Sequence, residues 1–92
     1  MRIISQNGAI DVPYEMSSIR NEDKIIVLNM VGETGKGSVI ATYSTSEKAQ
    51  KAMEMLREKY KDYAKATNKS NFFTMFDYPK VFQFPQDEDV EV

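Results

Sequence analysis

The stretch KIIVLNMVGETGKGSVIATYS, Lys24 to Ser44, decides how this chain is read. If Gly35-Lys36 belongs to a phosphate-binding loop, the segment is strand, loop, helix, and the protein handles nucleotides. If the glycines only turn the chain, it is strand, turn, strand. A phosphate loop of the P-loop type requires a glycine, four residues, and then Gly-Lys-Ser/Thr. Here Gly37 follows Gly35-Lys36, and Met30 stands where the first glycine belongs. Such a loop should also open a helix whose N-terminus faces the phosphates, whereas SVIATY has the β-branched character of a strand. The dinucleotide pattern fails as well, because Ile40 occupies the position of its third glycine. A hairpin turn accounts for the glycines through their tolerance of positive φ.

Upstream, RIISQNGAIDVPYE reads as a second hairpin. Asn7-Gly8 suits a type I′ turn, which sets Ile3 opposite Val12 and Ser5 opposite Ile10. Pro13 cannot donate to a ladder, so the strand ends there or lies at an edge. SSIR is a candidate short strand and NED a turn leading into the strand at Lys24.

After Tyr43 the period changes. Ser44 and Glu47 fit a capping box, with Ser44 as N-cap. From there Ala49, Ala52, Met53, Leu56, Tyr60, Tyr63 and Ala64 recur at three- and four-residue steps, predicting an amphipathic helix of about 18 to 22 residues. Glu47–Lys51 is a favourable i,i+4 pair. TNKSN should break the helix. FFTMF and VFQFP then read as strands separated by a turn at DYPK. One helical stripe needs a sheet to cover it. The expected fold is therefore α+β, an antiparallel sheet built from hairpins with one long helix on one face. Residues 1–85 form a single domain, and 86–92 an acidic tail.

With 92 residues there is room for one small domain, burying about two-thirds of its unfolded surface. Apolar residues are 41% and charged residues 28% of the chain, as in a soluble domain. No run is long and apolar enough for a membrane span, and the N-terminus lacks signal-peptide features. A cytoplasmic protein is expected. Cysteine and histidine are both absent. That removes the familiar nucleophile–base dyads and the usual zinc ligands. Glu54, Glu58 and Asp62 lie along the outer helix face, and a calcium site at Asp87-Glu88-Asp89 would need more preorganisation than a terminal segment offers. Enzymatic activity, metals and cofactors are not expected.

The net charge of −2 conceals a division: Asp87, Glu88, Asp89 and Glu91 carry four negative charges in the last seven residues, which contain no base. A solvated, frayed end is the expected state of such a segment. Nucleic-acid binding is the alternative reading. Six of the ten aromatics fall between Phe72 and Phe84, with Lys69 and Lys80 nearby, and aromatics on a sheet can stack single-stranded bases. Against it, those phenylalanines are the largest apolar side chains available for a core, and helix charges alternate in sign instead of forming a basic stripe. Met55 falls at the margin of the apolar stripe, where it fills a gap or joins a contact patch.

Three blocks, MRIISQNGAIDVPYE at 1–15, ATYSTSEKAQKAMEMLREKY at 41–60 and FQFPQDEDVEV at 82–92, together resemble a family of short proteins from Firmicutes and their phages and prophages. They cover half the chain in the same order and leave out the glycine loop. The resemblance implies an intracellular setting and supplies no catalytic or binding residues. Small phage proteins commonly act by binding a host protein, inhibitors of defence nucleases among them. The expected partner is accordingly a protein, met through a sheet edge, through Met55, or through Asp87, Glu88, Asp89 and Glu91 facing a basic groove. Self-association into a homo-oligomer is left open.

Overall fold

The structure, a computed structural model, describes residues 1–68 and 81–92, the side chains of 65–68 excepted. The fold class is α+β. Strands β1 (Arg2–Ile4), β2 (Asp11–Pro13), β3 (Ser17–Glu22), β4 (Ile25–Met30) and β5 (Ser38–Thr42) precede one long helix, α1 (Ser46–Asn68), and β6 (Val81–Gln83) lies beyond it. The strands form two three-stranded sheets, ordered β2-β1-β6 and β3-β4-β5. The second is antiparallel throughout. In the first, β1 pairs antiparallel with β2 but parallel with β6, with Ile3 opposite Phe82. The expected strand at FFTMF and turn at DYPK lie outside the described residues.

The first hairpin has the expected register, Ile3 opposite Val12, but not the expected turn. Gly8 has φ +78, whereas Asn7 does not adopt positive φ, so no type I′ turn forms. Instead the Gly8 N–H reaches the Ser5 carbonyl at 2.9 Å, and the Asn7 carboxamide oxygen accepts the Ala9 N–H at 3.0 Å. Asn7 serves here through its side chain, as asparagine does in Asx turns. A four-residue loop centred on Asn7-Gly8 keeps the register of the two-residue one, because the sum of paired residue numbers is unchanged. The NED turn, by contrast, tightens: Asn21 and Glu22 complete β3, opposite Ile26 and Ile25, leaving Asp23-Lys24 to turn the chain, with Asp23 at φ +55.

Helix α1 carries the predicted stripe. Ala49, Ala52 and Leu56 are buried, while Met53, Tyr60 and Tyr63 pack at its margin. Tyr60 stacks on Tyr14 with ring centroids 4.5 Å apart, tying the helix to the segment after β2. Leu56 is buried in the same cluster as Ile26 and Leu28 of β4 and Ile3 of β1. The two sheets thus share a single core with the helix across it.

The cap sits one residue later than the sequence pattern indicates. The Thr45 hydroxyl, not that of Ser44, accepts the Lys48 N–H at 3.1 Å, making Thr45 the N-cap. Glu47 closes no box; it accepts the Ser46 hydroxyl at 2.7 Å. Nor does it pair with Lys51, which lies 3.7 Å from Glu54 instead. The helix runs from Ser46 to Asn68, into the TNKSN stretch expected to break it, whose remaining residues 69–71 lie outside the described residues.

Candidate functional site

The glycine loop closes the β4–β5 hairpin and leads into a strand. Gly32, Gly35 and Gly37 all hold positive φ, at +87, +117 and +80. At Gly37 the fit is also steric: a Cβ would lie 2.7 Å from both the Leu28 carbonyl and the Asn29 side-chain oxygen. The loop is braced from outside. Arg20 donates to the Lys36 carbonyl at 2.8 Å and to Asn29 Oδ1 at 2.6 Å, and the Glu33 carboxylate accepts the Met30 N–H at 2.6 Å. Among the described residues α1 begins at Ser46, beyond β5, so the loop does not lead into a helix N-terminus. The turn reading holds.

The C-terminal segment is where the structure departs most from expectation. Residues Asp87–Asp89 form a 3₁₀ turn, and Val90 is only 3% exposed, inserted into the core cluster. The acidic run is therefore docked, not frayed. Asp87 makes the principal polar attachment. Its carboxylate accepts the Ser44 backbone N–H at 2.7 Å, and Lys48 Nζ reaches its carbonyl at 3.0 Å and its carboxylate at 3.5 Å. The Ser44 N–H foremost, with Lys48 adding to it, holds the Asp87 carboxyl below its ordinary range despite partial desolvation. Next to it the buried Tyr43 hydroxyl donates to the Pro85 carbonyl at 2.8 Å. Burial, reinforced by the Asp87 charge, pushes the Tyr43 phenol up to about 12.

Gln6 completes the attachment. Its side chain lies along the edge of β5 in the manner of a strand, accepting the Thr42 N–H at 3.0 Å and donating to the Thr42 carbonyl at 3.1 Å. The same Nε2 is 3.1 Å from the Pro85 carbonyl, and Gln86 donates back to the Gln6 carbonyl at 2.7 Å. The Gln6 N–H meets the Ile40 carbonyl at 2.8 Å. This part of the β5 edge is consequently occupied by the chain itself. Three segments far apart in the chain meet at this joint, through Gln6, through Thr42 to Lys48, and through Phe84 to Val90.

Of the residues expected to bind a partner, Asp87 is thus turned to internal use. Glu88, Asp89 and Glu91 stay exposed on the docked turn. Met55 is 37% exposed. It stands seven residues after Lys48, two turns on and about 10 Å along the axis on the same side of the helix. The helix carboxylates do not converge: Glu54 pairs with Lys51 and Glu58 with Lys61, 3.5 Å away. Among the described residues no group of three or more acidic side chains could hold a metal ion, and no helix is long and apolar enough to cross a membrane. Phe82 and Phe84 are buried and meet edge-to-face at 5.1 Å. Phe72, Phe73, Phe76 and Tyr78 lie outside the described residues.

Sequence reasoning missed Gln6, Gln86 and Val90. Val90 did carry a signal: an apolar side chain between Asp89 and Glu91 in a strongly charged run is a natural anchor. The two glutamines carried none, because their partners are backbone groups distant in sequence. Comparison with known proteins gives no further identification: no family model, no curated protein and no solved structure matches the chain.

Proposed function

We propose that the protein is a non-enzymatic interaction domain of bacterial or phage origin that binds and modulates a host protein inside the cell. The contact is made through the acidic turn, and the host target presents a basic groove, such as the nucleic-acid channel of a defence nuclease. The observation that supports this reading is the docking of Asp87–Val90. With Val90 in the core and Asp87 bonded to Ser44 and Lys48, the 87–89 backbone is fixed before any partner arrives. Glu88 and Asp89 are then displayed from an ordered turn, and Glu91 comes directly after the buried anchor. Preorganisation lowers the ordering cost of binding, and clustered like charge speeds encounter with a surface of opposite sign. Met55, 37% exposed and two turns beyond Lys48 on the same side of α1, offers an apolar contact farther along the helix.

The alternative, stacking of single-stranded nucleic acid on the Phe72–Phe84 segment, loses two of its rings, because Phe82 and Phe84 belong to the core. The test is capture from nuclease-treated host lysate by the wild type and by the triple variant E88K/D89K/E91K, with circular dichroism to verify that both are folded. Proteins retained by the wild type and lost by the variant support the proposal. Capture that vanishes with nuclease, or that ignores the charge reversal, refutes it.

A further inference from the structure

No hydrogen bond joins Gln6 to Asp87, yet both fasten the segment Phe84–Val90. Gln6 holds it at Pro85 and through Gln86, while also closing the β5 edge at Ile40 and Thr42. Asp87 holds it at Ser44 and Lys48, where α1 begins. Tyr43, between Thr42 and Ser44, donates to Pro85 midway. The backbone of Thr42 to Ser44 is therefore gripped on one side by Gln6 and on the other by the C-terminal segment, and that segment is itself gripped by Gln6.

We propose that these contacts form a two-point latch, so that the C-terminal strap and the β5 edge open together as one local unit while the β3–β4 hairpin stays folded. The physical basis is shared ordering. Each fastening fixes backbone that the other also needs, so losing one raises the entropy that the other must hold alone. Opening withdraws Val90 from the core and bares the Ile40 carbonyl and the N–H and carbonyl of Thr42. It therefore converts a closed edge into one able to accept another strand. The latch is independent of whether the acidic turn binds a partner.

The test is hydrogen exchange resolved to single amides on the full chain, comparing wild type, Gln6→Ala and Asp87→Ala. Each variant necessarily frees the amide that its own side chain holds: Thr42 in the first, Ser44 in the second. The informative amides are the opposite ones. Asp87→Ala should speed exchange at Thr42 and Gln6, and Gln6→Ala should speed it at Ser44, each by about tenfold or more, with β4 amides unchanged. If each variant frees only its own partner amide, the two fastenings are independent and the latch does not exist. If β4 amides accelerate equally, the strap is not a separable unit and the proposal fails in the other direction. Should Gln6→Ala not fold, the Asp87→Ala arm alone decides, through Thr42.

Discussion

Replacing Val90 by alanine measures whether the acidic segment belongs to the folded domain. Val90 is 3% exposed and sits in the same cluster as Phe84, Tyr43 and Ala49. The substitution removes the equivalent of two buried methylene groups, about 1.6 kcal/mol at roughly 0.8 kcal/mol each. Incomplete collapse of the space left behind adds several tenths to about 1 kcal/mol. The expected loss is about 2 kcal/mol. In a domain of this size each kcal/mol lowers Tm by about 4–8 °C, so thermal unfolding followed by circular dichroism should shift down by roughly 8–16 °C. Val92→Ala is the internal control. Val92 is 77% exposed, and its truncation should change stability by less than about 0.5 kcal/mol. If the two variants melt together, the C-terminal segment is not docked, and the ordered acidic turn loses its basis.

The helix cap gives a second discrimination. Thr45→Ala should cost about 1 kcal/mol in chemical unfolding, and Ser44→Ala less than about 0.5, because Ser44 contributes its backbone N–H and keeps it; the reverse order would restore Ser44 as the cap. In the glycine loop, Gly37→Ala combines left-handed strain with a clash against the Leu28 backbone and should cost more than about 2 kcal/mol. Gly35→Ala carries its own strain at φ +117 but meets open space and should cost less, about 1–2, so equal losses would contradict the steric account. The fourth prediction concerns alkaline pH. An unfolded tyrosine ionises near its ordinary 10.0, whereas Tyr43 in the fold ionises at about 12, so the unfolded state gives up its proton first. Stability should fall as pH rises across that window, more in the wild type than in Tyr43→Phe. Parallel denaturation midpoints for the two proteins from pH 9.5 upward, an interval set by about the reference tyrosine value, would show that the phenol is not buried as described.

How much the sequence determines by itself depends on the range of the interactions concerned. The α1 stripe is legible because a period of 3.6 is written in consecutive residues, and Ala49, Ala52 and Leu56 are buried where that period puts them. The register of the first hairpin is legible for the same reason: hydrophobic alternation on either side of Asn7-Gly8 fixes Ile3 opposite Val12. The glycine loop could be identified as a turn because the residues that phosphate binding needs at fixed offsets are missing. What only the tertiary structure decides are pairings between residues far apart in the chain. The parallel match of β1 to β6 joins the two ends, and nothing in either strand encodes direction. The cap moves from Ser44 to Thr45 while Asp87, more than forty residues away, takes the Ser44 N–H. Gln6 looks like a hairpin residue until Thr42 and Pro85 are placed beside it, since a carboxamide shows no preference among backbone groups before the fold supplies them. The candidate site was half visible on this account. Its charges could be counted in the sequence, but their attachment to an ordered turn depended on Val90 finding a core built by segments distant along the chain.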